Sequence, residues 1–443
     1  MIRSTSSALS LDTWAVPTRI ISLPSTVSRC MFSPSMVIFV LPRWAWKLSA
    51  FAWIVKENEL RSEHSPLSAA GSFNCPIPLV PVRQGMYIEP QLCWVGRLTE
   101  YMVKIGDVVT TKLDTVAFGG NALGRIEGVV VFVPFGVDGD EVTIEIGKAK
   151  KNYCQAVIKE ILSPSSDRVE PRCPYFTICG GCQYQHISYE HQLVIKERQV
   201  GESFERIGRV KSPPVKKIIP SPLAFNYRGK AEFHIDLDDK GDLRVGFIDE
   251  GGAFPVDIER CEIVDETIND AVRKVRDDIA SGIIKIGEKR NIFWSHNDFL
   301  AAPFISRTVK GKEFRIPYSG FFQTNLSLMD GLVYSVIMMG NFADSNTVLD
   351  CYCGSGLFSL FLAPHVKRVI GIEGDRHSVE CARTNLQDYG ITNAEFIEGP
   401  VEKILRQKVK GKIQVDVVLL DPPRIGCVKG VLDDIAEIRP EKI

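Results

Sequence analysis

The chain lacks any apolar run able to cross a bilayer. Its most apolar early stretch, Met36 to Ile54, is broken by Pro42, Arg43 and Lys47, each costly at a bilayer centre, so no membrane association is expected. It lacks net charge as well: 53 Lys and Arg stand against 54 Asp and Glu, leaving −1, so the total says nothing about partners and only the distribution can. A secreted disulfide framework is missing too, because the twelve cysteines cluster at metal-site spacings, which fits a reducing cytoplasm. Finally, the dinucleotide fingerprint is incomplete: Gly354 and Gly356 are followed by Ser359 where a third glycine would stand.

What is present suffices for two or three globular domains, with 443 residues of which 45% are hydrophobic and 24% charged. Residues 146–230 hold fifteen Lys and Arg against seven Asp and Glu, whereas residues 231–443 hold 26 against 34. A basic segment ahead of an acidic half is compatible with binding a polyanion, and equally with a solvated, lysine-rich helical face. Residues 1–102 show no clean period. They read either as a targeting extension or as a leader outside the natural protein, with translation starting near Met86 or Met102, and no function is assigned to them.

From Gly106 to Leu162 short alternating runs (108–113, 128–134, 141–146, 153–161) separated by Gly119-Gly120, Gly124 and Asp138-Gly139 predict a small closed β-barrel. Lys148, Lys150 and Lys151 follow it directly. Tyr189 to Arg206 has helical spacing, with Leu193, Val200 and Phe204 on one side and Lys196, Arg198 and Arg206 available to solvent. Residues 225–264 predict an antiparallel meander with strands at 230–236, 243–248 and 256–258. After Val333, strands at 347–352, 368–372, 394–397 and 415–420 alternate with helices at 357–363 and 377–388, the pattern of a parallel doubly wound sheet.

Three constellations carry chemistry. Cys173, Cys179 and Cys182 place three thiols in one loop around Gly180-Gly181, and Cys261 in "IERCEIV" is the candidate fourth; spacing alone leaves four-cysteine zinc and an iron–sulfur cluster both open. Asp350-Cys351-Tyr352-Cys353-Gly354-Ser355-Gly356 stands where a buried strand turns into a helix. Glu373, at the end of the next strand, can accept both ribose hydroxyls of an adenosyl group. Asp421-Pro422-Pro423-Arg424 follows the last apolar strand and faces the same edge.

Together these segments resemble the RNA uracil-5 methyltransferases. "AFGGNALGRIEGVVVFVPFGVDGDEVTIEI" resembles a TRAM domain, an OB-like RNA-binding barrel. "CPYFTICGGCQYQH" with the later "RCEI" looks like the family's 4Fe-4S motif, and "GFFQTN", "VIGIEGD" and "DPPR" look like its S-adenosylmethionine site. The resemblance implies an α/β class I (Rossmann-like) methyltransferase domain, incomplete at 321–443. Ahead of it are expected an all-β TRAM barrel at 103–163 and an α+β central iron–sulfur domain at 164–320. It assigns S-adenosyl-L-methionine to Gln323, Tyr352, Glu373 and Asp421, and a 4Fe-4S cluster to Cys173, Cys179, Cys182 and Cys261. Leu357 and Pro400 stand where some members carry polar cofactor contacts. RNA is the expected partner, ribosomal rather than transfer RNA, since the barrel-plus-cluster architecture looks like the 23S-type members.

Carbon 5 of uracil is a poor nucleophile. In the family a cysteine thiolate first adds to carbon 6, carbon 5 then attacks the methyl group, and a carboxylate removes the carbon 5 proton before the cysteine leaves. That cysteine is expected on the strand after the DPPR loop, and this sequence ends at Arg439–Ile443, where the strand should begin. The expectation is that no catalytic residue is present, and that the parallel sheet has an exposed flank giving poor solubility or calling for a partner fragment. Cys427 is the best surrogate nucleophile among the cysteines present, and none is assigned catalysis.

Overall fold

A computed structural model describes residues 103–238, 240–283, 290–295, 304–318, 320–423 and 425–443. The leader 1–102 and Arg424 of the DPPR motif lie outside the described residues. Among the described residues no helix is long and apolar enough to cross a membrane.

The N-terminal part is a closed barrel of β1 (Val108–Val116), β2 (Ala122–Ile126), β3 (Val129–Val133), β4 (Glu141–Ala149) and β5 (Tyr153–Ser163), paired in the order β1-β2-β3-β5-β4. Period-2 burial fills its interior with Leu113, Val131, Val133, Val142, Ile144 and Ile146. Asp140, fully buried, is held by Arg168 at 2.6 Å and by the backbone N–H groups of Val137 and Ser165. Burial pushes its carboxyl up, but these partners outweigh it and hold it below the usual range. This ion pair staples the cysteine segment to the barrel, helped by His186, which is buried beside Phe135 and Phe176 and kept neutral as burial lowers it to about 4.

Helix α1 (Tyr189–Arg206) has the expected bounds, capped by Ser188, which accepts from His191 N. Its exposed face differs from expectation. Ile195 and Phe204 are the buried residues, Lys196 lies over the Tyr184 ring at 4.7 Å with burial lowering its ammonium to about 8, and Arg198 donates to Val116 O at 3.1 Å. The aliphatic stems cover the barrel while the cationic ends find an aromatic face and a carbonyl.

In the central part β6 (Lys230–Leu237) pairs with β7 (Leu243–Gly246) and, on its other side, with β8 (Arg290–Ser295). The expected strand at 256–258 does not form a ladder. Val256 N and Ile258 N do reach Phe247 O and Val245 O, but Val245 N is taken by the Asp257 carboxylate at 2.9 Å. Helix α2 (Glu266–Ala280) covers this sheet through Ile268, Val272 and Val275.

The C-terminal part opens with the hairpin β9 (Phe304–Val309) and β10 (Lys312–Pro317), whose Ile305, Val309, Phe314 and Ile316 share a core with helix α3 (Met329–Gly340). The packing unit therefore reaches back ahead of 321. There follow β11 (Thr347–Cys351), α4 (Leu357–Leu362), β12 (Arg368–Glu373), α5 (Arg376–Asp388), β13 (Ala394–Glu398), α6 (Val401–Lys410), β14 (Val417–Leu420) and α7 (Lys429–Ile438). The four strands are all parallel, in the order β13-β12-β11-β14. Residues 441–442 run alongside β14, with Val418 N donating to Lys442 O at 3.0 Å.

Candidate active site and cysteine centre

Parallel pairing brings the carboxyl ends of β12, β11 and β14 to one lip of the sheet, where ligands bind in such folds. The turn after β11 is tight: Tyr352, Gly354 and Gly356 all have left-handed backbone, with φ of 64°, 55° and 78°. A non-glycine residue held there signals a strained, over-determined site. Two backbone bonds hold it, Tyr352 N and Cys353 N both donating to Ile372 O at 2.9 and 3.1 Å. A Cβ on Gly356 would lie 2.6 Å from Phe396 Cζ, and one on Gly371 of β12 would lie 2.4 Å from Phe396 Cδ1, so the Phe396 ring forms the floor under the turn.

Glu373 ends β12 with its carboxylate turned to this loop, Oε2 accepting from Gly354 N at 2.9 Å and Oε1 from Asp375 N at 2.8 Å. An ionised carboxylate has lone pairs left for two hydroxyls. Asp421 leaves β14 on the other side of β11, and its Oδ2 accepts from Gln323 Nε2 at 3.2 Å. Burial raises Asp421 to about 6 against the lowering effect of that bond. Tyr352, Glu373 and Asp421 therefore stand at the carboxyl ends of the adjacent strands β11, β12 and β14, with Gln323 held against Asp421. Leu357 is buried in the C-terminal core and offers that edge nothing polar.

Sequence reasoning gave no role to Asp350. Its side chain is fully buried, Oδ2 accepts from Ser359 Oγ at 2.6 Å, and Oδ1 has no partner. Burial raises this carboxyl to about 7, the Ser359 bond opposing it and Asp421 and Glu373 adding repulsion. The signal was available: an aspartate inside the apolar strand "TVLDC", with the serine that spoils the dinucleotide fingerprint as its partner.

Cys173, Cys179, Cys182 and Cys261 line one cavity together with Gln185, Arg228, Phe247 and Arg260. Gln185 Oε1 accepts from Cys173 N at 3.1 Å, and Cys261 N donates to Asn269 Oδ1 of α2 at 2.9 Å. The Gly180-Gly181 pair admits close approach: a Cβ on Gly180 would meet Asp249 O at 3.0 Å, and one on Gly181 would meet Cys179 Sγ at 3.4 Å. Burial raises all four thiols, Cys261 to about 12; neighbouring thiols add repulsion at Cys179, Cys182 and Cys261, and the Glu262 carboxylate adds it at Cys173. Four thiols lining one cavity are by chemistry a donor set of the kind a thiolate-bound metal centre uses. As the side chains stand, no group of three or more His, Cys, Asp or Glu among the described residues is arranged to hold a single metal ion.

Among the remaining cysteines, Cys351 and Cys381 are buried. Cys427 lies against Tyr352, and burial raises its thiol to about 11, that contact opposing it.

A family profile described as RNA cap guanine-N2 methyltransferase matches residues 345–429, and a TRAM profile matches residues 102–159. Over 361 residues the chain is 32% identical to the tRNA (uracil(54)-C(5))-methyltransferase of Schizosaccharomyces pombe, covering 76% of this chain and 68% of that protein. An RNA methyltransferase of Gloeobacter violaceus is 30% identical, with 76% and 87% covered. Among solved structures, the Pyrococcus abyssi tRNA (uracil-54, C5)-methyltransferase in complex with S-adenosyl-L-homocysteine superposes with a TM-score of 0.56 at 22% identity, over 74% of this chain and 87% of that one. That likeness concerns the fold.

Proposed function

Because the chain belongs to the TRAM-bearing RNA uracil-5 methyltransferase family, we propose that it serves the transfer of a methyl group from S-adenosyl-L-methionine to carbon 5 of a uridine in RNA. The observation that carries this reading is the convergence of the Gly354 turn, Glu373 and the Gln323–Asp421 pair at one lip of the sheet. Glu373 takes the ribose, Gln323 and Asp421 flank the donor's reactive end, and the Tyr352 ring, packed on the core beside Cys427, closes the side. RNA docking is supported by exposed Lys148, Lys150 and Lys151 and by a cavity of about 500 Å³ lined by Phe132, Lys148, Gln155 and Glu250, since cations neutralise phosphate and aromatic faces stack bases.

Cys173, Cys179, Cys182 and Cys261 would hold a 4Fe-4S cluster. Bound there, it would tie the cysteine loop to α2; methyl transfer itself requires no electron from it. Ribosomal RNA is the proposed target on architecture. The second reading, transfer RNA, is favoured by the name of the S. pombe relative. Methylation of matched ribosomal and transfer RNA transcripts separates them.

The reaction-level test is tritium release from carbon-5-labelled uridine RNA in the presence of S-adenosylmethionine, which only an enzyme with its nucleophile in place should show. Retained donor and RNA binding with no release would support a rival reading, a non-catalytic RNA-binding iron–sulfur protein.

A further inference from the structure

Residues 227–229, entered from a left-handed Asn226 (φ 53°), form a short extended segment that pairs on both of its edges. On one edge Asn226 N donates to Glu262 O, Arg228 N to Ile263 O and Asp265 N to Arg228 O, at 3.0, 2.9 and 2.9 Å. These are the residues that follow Cys261, and the Arg228 side chain itself lines the cysteine cavity. On the other edge Gly229 N donates to Thr324 O at 3.1 Å and Leu326 N to Tyr227 O at 3.2 Å, the residues that follow Gln323. The segment is clamped from above by Arg307, whose Nη2 donates to Gly229 O at 3.0 Å. A side chain at its end would have to displace Leu326: a Cβ on Gly229 would run into the Leu326 side chain. Two steps of backbone pairing therefore connect a cysteine of the thiol cavity to the glutamine that holds Asp421.

We propose that this segment couples the two sites, with Gly229 as a positioning residue for Gln323, so that loading the four thiols tightens the hold on the methyl donor. The proposal rests on the reading of Gln323 and Asp421 as donor-binding. A metal centre fixes Cys261, Cys261 fixes the register of residues 262–265, and that register fixes Thr324 and hence the amide facing Asp421. Such a coupling is reciprocal: the donor must stabilise the loaded cysteine centre by the same factor.

The test compares anaerobically purified, iron-loaded protein with protein stripped by chelator and oxidant, using S-adenosylhomocysteine as the calorimetric probe. The expected result is at least about fivefold weaker binding after stripping, the lower end of ordinary coupling. The probe should also slow loss of the iron–thiolate absorbance under chelator, a readout that mere structural support would not move. Gly229→Ala should keep that absorbance yet bind the probe as weakly as stripped protein does. If this variant does not fold, Gln323→Ala decides: it should weaken binding in the loaded form and erase the difference between loaded and stripped. Weakening by Gln323→Ala alongside equal affinities of the two wild-type forms overturns the coupling alone. No weakening by Gln323→Ala overturns the donor-site reading and the coupling with it, and a protein whose four thiols take up no iron overturns the coupling as well.

Discussion

S-adenosylmethionine carries a sulfonium cation and S-adenosylhomocysteine a neutral thioether, so the carboxylates of the crevice should distinguish them in a pH-dependent way. Asp421 is raised by burial to about 6, and behind it Asp350 to about 7. A carboxyl titrating near 6 is about 10% ionised at pH 5 and almost wholly ionised at pH 8, so a cation that needs its anion gains about tenfold in affinity over that interval. The amino and carboxylate groups of the two ligands are the same, and their contributions cancel in the comparison. Calorimetric titrations at pH 5, 6, 7 and 8 should show that gain for the sulfonium and little change for the thioether. Asp421→Asn keeps an oxygen for the Gln323 amide and should flatten the sulfonium curve. Equal slopes for the two ligands, or an undiminished slope in Asp421→Asn, would refute the electrostatic account of the crevice.

Further outcomes follow from single contacts. Asp350 has a folded pKa above its unfolded one, so the folded form holds the extra proton and stability falls as pH rises from about 4 to about 7; Asp350→Asn should raise Tm at pH 8, with the gain vanishing towards pH 4 in calorimetric scans. Arg168→Ala leaves the fully buried Asp140 without its cation and should lower stability by about 3 kcal/mol, less what two backbone donors retain, measured by denaturant unfolding. Gly246→Ala drives a methyl group to 1.8 Å from Val256 O and should destabilise by about 1–3 kcal/mol as the chain shifts, with far-ultraviolet dichroism near that of the parent.

The parallel sheet was legible because its strands are short apolar runs closed by punctuation that physics explains. Thr347–Cys351 ends at the glycine turn, and Arg368–Glu373 is followed by Asp375, whose carboxylate caps α5 by accepting from Ser378 N at 2.8 Å. The common edge of Tyr352, Glu373 and Asp421 was legible for a related reason, since polar groups at the ends of adjacent parallel strands must share an edge. Elsewhere the pattern misleads. Val256 and Ile258 alternate like a strand and are both buried, yet the side chain of Asp257 takes the donor a ladder would use. β8 pairs with β6 across a long stretch of chain, and nothing local announces such a partner. Lys196 and Arg198 look like solvent-facing cations on a helical wheel, and only the adjoining barrel shows that their stems are covered.

The Phe396 ring occupies the room that methyl groups on Gly356 and Gly371 would need. Three positions on separate elements are thereby bound into one choice. A smaller residue at 396 would ease the crowding at Gly371, while Gly356 would still be held to glycine by its left-handed backbone; a side chain arriving at either glycine would have to displace the ring and unseat the donor loop resting on it. Substitution at 371 and 396 is expected to be concerted, a paired change being tolerated where a side chain at 371 alone is not.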